Sequence, residues 1–441
     1  MGYVVAKFGG SSLADASQFR KVKAIIDADP NRVFVVPSAP GRRYYTDDKI
    51  TDLLYLVQQK VTANELIGEI FDRIIERYVD IAFELDLKID ILSQLTIVRD
   101  NILAGASADY AASRGEYLNA LLLAEYLKFD FIDATDVICF DEKGKFDSEK
   151  TQEICSKRLK KYSHAVIPGF YGAIPDGKIK TFSRGGSDIS GAIIARACMA
   201  DLYENWTDVS GMLMADPRVV PNPAAIKTIT YTELRELAYM GAAVLHDESI
   251  FPVRQACIPI NVRNTNAIAD AGTMIVPEAA DYTDLTITGI AGRKGFTIIA
   301  LEKDKMNAEV GFAYKVLKVL ADHGVSMEHM PSGIDTLSVV IADTQLHEKR
   351  QQVVDDLVRI CEPDSLEIQD SMALIAVVGR GMINKVGTSA KVFSALAKSG
   401  VNVRMIDQGS SEINIIIGVE NHEFNTAVNA IYRAFVDDMQ S

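Results

Sequence analysis

YVVAKFGGSSLADASQFRKVKAIIDADPNRVFVVPS, residues 3–38, runs from an apolar segment through a glycine–serine loop and a helical pattern into a second apolar segment. YVVAKF (3–8) and RVFVVPS (32–38) read as buried strands, and QFRKVKAIIDA between them carries the 3.6-residue period of an amphipathic helix. Two strands joined through a helix run parallel, because a tight turn cannot connect them. The same grammar continues to about residue 280. Further strands are predicted at FDFIDA (129–134), HAVIPGF (164–170), LYENWT (202–207), INVRN (260–264) and GTMIV (272–276). Helical patterns such as RGEYLNALLLAEYLK (114–128) and DISGAIIARACMA (188–200) separate them. Alternation of this kind predicts a mostly parallel open sheet covered by helices on both faces, with ligands at the carboxyl ends of its strands. The polar helical stretch 58–104 reads as an insertion on that sheet and not as a separate domain.

Bulk composition narrows the class. The 441 residues are 48% hydrophobic and 24% charged, a globular balance with enough chain for two or three cores. With 46 Lys and Arg against 60 Asp and Glu, the net charge of −14 argues against nucleic-acid or anionic-membrane partners. Cys139, Cys155, Cys198, Cys257 and Cys361 are scattered without a CxxC, which predicts buried free thiols in a reducing cytosol. No apolar run is long enough for a membrane span, and no signal peptide is visible, so a cytoplasmic protein is expected.

From about residue 286 the pattern changes to an internal repeat. VGFAYKVLKVLADHGVSMEHMPSG (310–333) aligns with VGTSAKVFSALAKSGVNVRMIDQG (386–409), with Gly311, Lys315, Leu320 and Gly324 matched by Gly387, Lys391, Leu396 and Gly400. Each copy reads strand, helix stopped by glycine, strand, glycine turn, strand, helix, a small ferredoxin-like βαββαβ unit.

Three glycine-bearing stretches of the first region carry chemistry. KFGGSS sets Lys7 before the bare backbone of Gly9 and Gly10, which suits a phosphate cradle. It is neither a Walker P-loop nor a Rossmann fingerprint, since neither spacing occurs. FSRGGSD (182–188) runs into a helix expected to start near Ile189, with Ser187 or Asp188 as its N-cap and Arg184 able to grip a carboxylate or phosphate. TDVSGMLMADPR (207–218) follows a strand, with Thr207 and Asp208 placed for ribose or Mg²⁺-bound water and Arg218 for phosphates.

These stretches, with SAPG (38–41), TDLL (51–54), RGEYLNA (114–120), PGFYGA (168–173) and MGAAVLH (240–246), resemble the aspartate kinases (aspartokinases) of the amino-acid kinase superfamily over nearly the full length. VFSALAKSGVNVRMIDQGSSEINI (392–415) is similar to the ACT signature of those enzymes, which accounts for the repeat. The resemblance implies an α/β fold, the carbamate kinase-like α/β/α sandwich, plus tandem ferredoxin-like ACT domains. Its expected boundaries are 1–285 for the kinase domain, 286–370 for the first ACT domain and 371–441 for the second, with intertwining of the two ACT domains left open.

The implied reaction is ATP plus L-aspartate giving ADP plus 4-phospho-L-aspartate, with Mg²⁺, as the first step of lysine, threonine and methionine biosynthesis. The resemblance assigns Lys7, Arg184 and Asp188 to catalysis, and Lys7, Phe8, Gly9, Gly10, Ser187, Thr207, Asp208, Leu213 and Arg218 to the nucleotide. It assigns Ser38, Thr51, Glu116, Arg184 and Asp188 to aspartate, with Glu116 suited to the ammonium. Met306, Gly311, Ser332, Asp335, Gln408 and Glu412 would meet a feedback effector, lysine or threonine with a lean to lysine, in a homodimer or higher homo-oligomer. Metal ligands are left unassigned.

The chain departs from the family at Leu213, where a tyrosine is common, and where relatives commonly read GAKVLHP it has Ala243, so a phosphate-side lysine is lost, and Asp247 after His246. The insertion RRYYTDDKI (42–50) is expected to form a variable loop near the substrate. The chain ends soon after the second repeat, so a fused homoserine dehydrogenase is not expected. A catalytically inactive amino-acid sensor, or a kinase for another acidic amino acid, stands as the alternative.

Overall fold

The structure is a computed structural model and describes residues 2–183, 185–242, 245, 247–277 and 286–436. The chain divides into two compact units. The first comprises Met1–Met212, Lys227–Tyr231 and Ala243–Ala279, and the second Leu213–Ile226, Thr232–Ala242 and Ala280–Ser441.

The first unit is built on β1 (Val4–Phe8), β2 (Arg32–Pro37), β3 (Asp130–Phe131), β4 (Ala165–Val166), the small hairpin β5 (Tyr171–Ala173) and β6 (Ile179–Thr181), β7 (Leu202–Thr207), β8 (Thr228–Thr230), β9 (Ile260–Asn264) and β10 (Thr273–Val276). All but the hairpin form one eight-stranded sheet in the order β3-β4-β2-β1-β7-β9-β10-β8. Every pairing is parallel except β9 with β10, as the alternating pattern requires. β1 has every residue buried, which is why its sequence is apolar rather than alternating. The chain leaves β1 toward β2 on one side and later returns on the other as β7. The β1–β7 seam is therefore a topological switch point, where open α/β sheets bind ligands.

Helices α1 (Ala16–Asp27), α2 (Ile50–Thr62), α3 (Gly68–Glu84), α4 (Ile91–Leu103), α5 (Ala108–Leu127), α6 (Ser148–Leu159) and α7 (Gly186–Ala197) cover this sheet. The insertion read in the sequence becomes α3 and α4, whose Phe71, Ile74, Tyr78, Leu95 and Ile102 join the same core as Phe8 and Val35 of the sheet. Trp206 stacks on Phe8 with ring centroids 6.0 Å apart. Its indole Nε1 donates to Glu204 Oε2 at 2.8 Å, and Arg32 clasps the same carboxylate through Nε at 2.7 Å and a terminal nitrogen at 2.9 Å. Both charges are buried, so truncating one strands the other in a low dielectric. Glu204→Ala is expected to cost about 3–5 kcal/mol of stability, read as a lower urea midpoint.

The second unit holds α8 (Tyr231–Tyr239, of which Tyr231 belongs to the first unit) and a five-stranded antiparallel sheet in the order β12-β11-β13-β15-β14. Its strands are β11 (Gly289–Glu302), β12 (Thr336–Ala342), β13 (Ser365–Val378), β14 (Met405–Asp407) and β15 (Asn414–Glu420). β11 and β13 are each 14 residues long. Phe296–Glu302 of β11 pairs with β12 and with Ser365–Met372 of β13, while Gly289–Lys294 pairs with Ala373–Val378, whose other neighbour is β15. The ladder slips beside Gly295 and Ser371, both with φ above zero. Each long strand thus serves both sequence repeats. Around it stand α10 (Phe312–Asp322) and α12 (Arg350–Cys361) for the first repeat, and α13 (Thr388–Lys398) and α14 (Phe424–Val436) for the second; the short α9 (Asp247–Gln255) lies in the first unit and α11 (Asp343–Leu346) follows β12.

Leu213–Ile226 and Thr232–Ala242 group with this unit through specific hydrogen bonds. Ile290 N donates to Met214 O at 2.7 Å, Ala224 N to the Tyr432 hydroxyl at 2.7 Å and Asn414 Nδ2 to Glu236 Oε2 at 2.7 Å. Among the described residues no helix is long and apolar enough to cross a membrane. The cysteines are free, as expected, but only Cys155 and Cys361 are buried, while Cys257 is exposed.

Candidate active site

The carboxyl ends of β1 and β7, the loop after β2 and the start of α7 converge. Lys7, on β1, lies directly across from Asn205 on β7. Its ammonium sits 2.5 Å from Asp188 Oδ1 and 3.4 Å from Asn205 Oδ1. Asn205 Nδ2 in turn donates to Asp188 Oδ1 at 2.9 Å. Beyond Lys7 the chain turns into the glycines, with Gly9 N donating to Trp206 O at 2.9 Å and Gly41 N to Gly10 O at 2.8 Å. A Cβ on Gly10 would lie 2.9 Å from Ala39 O, and one on Gly41 only 2.5 Å from the Gly10 carbonyl carbon. KFGGSS and SAPG are therefore two loops in backbone contact, which only glycine permits. Asn119 Nδ2 on α5 fixes the second loop by donating to Ser38 O at 2.7 Å.

The start of α7 corrects the sequence reading. The helix begins at Gly186, not near Ile189, and its N-cap is Gly185 in the left-handed region at φ 59°, with no capping side chain. Ser187 and Asp188 therefore lie in the first turn. That frees the Asp188 carboxylate to face Lys7 and Asn205, beside the amide ends of the helix. Gly169 of PGFYGA comes so close that a Cβ there would lie 2.8 Å from Ser187 Cβ.

Glu116, on α5, is 4% exposed, and its Oε2 has no hydrogen-bond partner among the described residues. Burial pushes its carboxyl up to about 8, against the opposing pull of the Ala39 amide, its own amide, the Ser187 hydroxyl and the Arg114 charge. Glu116 thus joins the SAPG loop to the RGGSD turn. Thr51 lies in the first turn of α2. Thr207 ends β7, on the same face as Tyr203 and Asn205 by the two-residue period, and its hydroxyl donates to Asp208 Oδ1 at 3.2 Å.

Arg218 and Leu213 belong to the second unit. The Arg218 guanidinium is clasped by Asp216 at 2.6 Å, and Leu213 bridges to Ala225. Arg184, Ala243, His246 and the side chain of Asp247 lie outside the described residues. In the 42–50 loop Asp47 is buried between Arg43 and Arg77. Burial pushes its carboxyl up, but hydrogen bonds from the Arg43 side chain and amide and the Arg77 charge outweigh that and hold it well below the usual range. Arg77 also donates to Gly41 O at 2.8 Å, so an insertion expected to vary freely is tied to the SAPG glycine from the helical insertion.

Of the effector candidates, Met306 and Gly311 flank the loop before α10. That loop meets Ser332–Asp335 through Asn307 N to Ile334 O at 3.2 Å and Lys303 N to Asp335 O at 2.8 Å. In the second repeat Gln408 and Glu412 line a cavity of about 610 Å³ with Lys385, Gly387 and Thr388.

Sequence reasoning missed Asn205 and Tyr203. The available signal was their spacing from Thr207, since residues 203, 205 and 207 of a strand share one face.

The family model described as the amino acid kinase family matches residues 2–264, and that of the ACT domain matches 375–435. Aspartokinase 3 of Bacillus subtilis (strain 168) is 37% identical over 446 residues, covering 98% of each chain. The crystal structure of Clostridium acetobutylicum aspartate kinase, described as an allosteric enzyme, is 55% identical with a TM-score of 0.93, covering 98% of this chain and 100% of that one. E. coli aspartokinase III in complex with aspartate and ADP (R-state) is 26% identical with a TM-score of 0.75, covering 98% of this chain and 100% of that one. The same enzyme in complex with lysine and aspartate (T-state) is 25% identical with a TM-score of 0.70, covering 98% and 99%. The chain belongs to the amino acid kinase family, and within it to the aspartokinases.

Proposed function

We propose that the protein transfers the γ-phosphoryl group of ATP to the side-chain carboxylate of L-aspartate, giving ADP and 4-phospho-L-aspartate. The observation that carries this reading is Glu116, a buried carboxyl with one oxygen unpartnered among the described residues, beside the Lys7–Asp188–Asn205 cluster. An amino-acid ammonium answers both its missing hydrogen bond and the charge it would bear on ionising.

The attacking carboxylate, with an ordinary value near 4, is already ionised at neutral pH and needs no general base. One carboxylate oxygen forms a bond to the γ-phosphorus while the bond from that phosphorus to the bridging oxygen breaks, leaving the electron pair on ADP. The barrier is the approach of one anion to another, so catalysis consists of neutralising and aligning charge. Lys7 supplies the point charge for the β- and γ-phosphates, and Gly9, Gly10 and the first turn of α7 supply bare amides. Asp188 holds Lys7 in place. Ser38, Thr51 and Arg184 bind the carboxylates of aspartate, with Glu116 on its ammonium. Thr207 and Asp208 serve the nucleotide. When bound with ATP, Mg²⁺ would supply positive charge that screens the phosphate oxygens.

Regulation is assigned to the paired ACT modules within residues 286–441, and the kinase chemistry to the first unit. Lysine, which E. coli aspartokinase III binds in its T-state complex, is the favoured effector. Its proposed contacts are the loop Met306–Gly311 with Ser332–Asp335, or the equivalent Gln408–Glu412. A cytoplasmic homodimer paired through these modules is the expected assembly.

A coupled ADP-release assay tests the reading. Aspartate is expected to support turnover, glutamate and N-acetylglutamate to fall at least a hundredfold below it, and added lysine to inhibit more than threonine. ADP release independent of aspartate, or none with any acceptor, would overturn it.

A further inference from the structure

We infer that Asn205 is a positioning residue of the phosphoryl-transfer site, the neutral second anchor that holds the Lys7 ammonium when it exchanges Asp188 for phosphate oxygens. The inference rests on the reaction proposed above.

Asn205 is 3% exposed, and its amide is used in both directions, Oδ1 toward Lys7 and Nδ2 toward Asp188. A buried amide that only filled space would leave these polar atoms unpaired, at a cost. Here they close a triangle whose third side is the 2.5 Å Lys7–Asp188 ion pair. The triangle is set by β-sheet register, because Lys7 and Asn205 are direct partners across parallel strands. It is braced from behind by Tyr203, two residues earlier on the same face, whose hydroxyl donates to Asp188 O at 3.0 Å. Gly191 lets α7 come that close, since a Cβ there would lie 2.6 Å from the Tyr203 hydroxyl. The strand thus grips α7 by its backbone with one side chain and by its carboxylate with the next.

An ammonium fully engaged with a carboxylate has little charge to offer a phosphate. To act on the transferring group, Lys7 must loosen that contact without losing its place. An acidic anchor would compete for the ammonium charge, and an apolar one would let the flexible lysine swing. An amide does neither. It also donates to Asp188 Oδ1, the atom that faces Lys7, and so keeps the carboxylate aimed while the lysine shares itself.

Asn205→Ala and Asn205→Asp, measured beside the unaltered protein, test the inference. Asn205→Ala removes both hydrogen bonds and is expected to lower kcat about 10- to 100-fold, with KM for aspartate within twofold. Asn205→Asp, nearly the same shape, cannot donate to Asp188 when ionised and adds negative charge beside Lys7. It is expected to lower kcat further and to raise KM for MgATP about tenfold. The difference between them reads the sign of charge and not packing, which a purely structural role would leave unmoved. Circular dichroism and the melting temperature establish folding, and if Asn205→Ala does not fold, Asn205→Asp alone decides. Folded variants with kcat within twofold of the parent, or a loss confined to KM for aspartate, overturn the inference. Absence of aspartate-dependent turnover in the unaltered protein overturns instead the reaction on which it rests.

Discussion

Lys7→Met should lower kcat by two to three orders of magnitude while leaving KM for aspartate nearly unchanged. The substitution keeps the unbranched shape of a side chain that is 7% exposed but removes the charge facing the phosphates. Losing one preorganised electrostatic contact to a transition state costs about 10²–10³ in rate. Such a contact is stronger in the transition state than in the ground state, so the loss appears in kcat. The variant also strands the Asp188 carboxylate, 2.5 Å from where the ammonium was, and some stability will be lost with it. The double variant Lys7→Met with Asp188→Asn separates the two effects. It should recover melting temperature without recovering turnover. Steady-state kinetics showing kcat within tenfold of the parent would remove Lys7 from the chemistry.

Glu116→Gln is expected to raise KM for aspartate about a hundredfold and, in the ligand-free protein, to stabilise the fold at alkaline pH. The two effects have one cause. With its carboxyl pushed up to about 8, Glu116 is protonated in the empty site at neutral pH. The unfolded chain ionises near the ordinary glutamate value of 4.5, so between that pH and about 8 it binds fewer protons than the folded one. Stability through this group is fully present below 4.5 and declines as pH rises, by about 1.4 kcal/mol per pH unit, until the folded carboxyl ionises. Glutamine abolishes that decline, so its advantage in melting temperature should be large at pH 8 and vanish near pH 4. Aspartate reverses the balance, because its ammonium favours the ionised carboxylate. Binding should therefore release a proton at neutral pH, and kcat/KM for aspartate should climb as pH rises toward 8. Calorimetry in buffers of different ionisation enthalpy would measure that proton. Binding without proton release, with a pH-independent KM, would contradict this role for Glu116.

Several parts of this site were legible in order along the chain. VVAKFGG announces a buried strand ending at a cation and bare backbone, because burial on both faces selects apolar residues and a close approach selects glycine. The repeat at 310–333 and 386–409 announces two like modules. Glu116 could be singled out only through the family resemblance, since a glutamate inside a helix carries no local mark of its environment.

Other features were legible only in part. FSRGGSD was read as a loop running into a helix, but the cap was misplaced by the ordinary preference for serine and aspartate. The left-handed Gly185 starts the helix early enough to turn Asp188 toward Lys7. The insertion 42–50 was expected as a variable loop, and no local pattern shows that Arg77, more than 25 residues further on, pairs with its Asp47 at 2.5 Å. Arg218 was expected to add charge toward the phosphates, and in the structure its guanidinium pairs with Asp216, two residues away.

The linear chain by itself determined the sheet-and-helix alternation, the glycine loops, the duplicated modules and the family, since each depends on local periodicity or on residues close in sequence. Tertiary structure alone decided that Asn205 faces Lys7 across 198 residues of chain, that β11 and β13 are shared between the two modules, and that Glu116 is buried deeply enough to hold a proton. Those are matters of strand register and desolvation. Both arise from the sum of many distant contacts, and no short stretch of sequence encodes either.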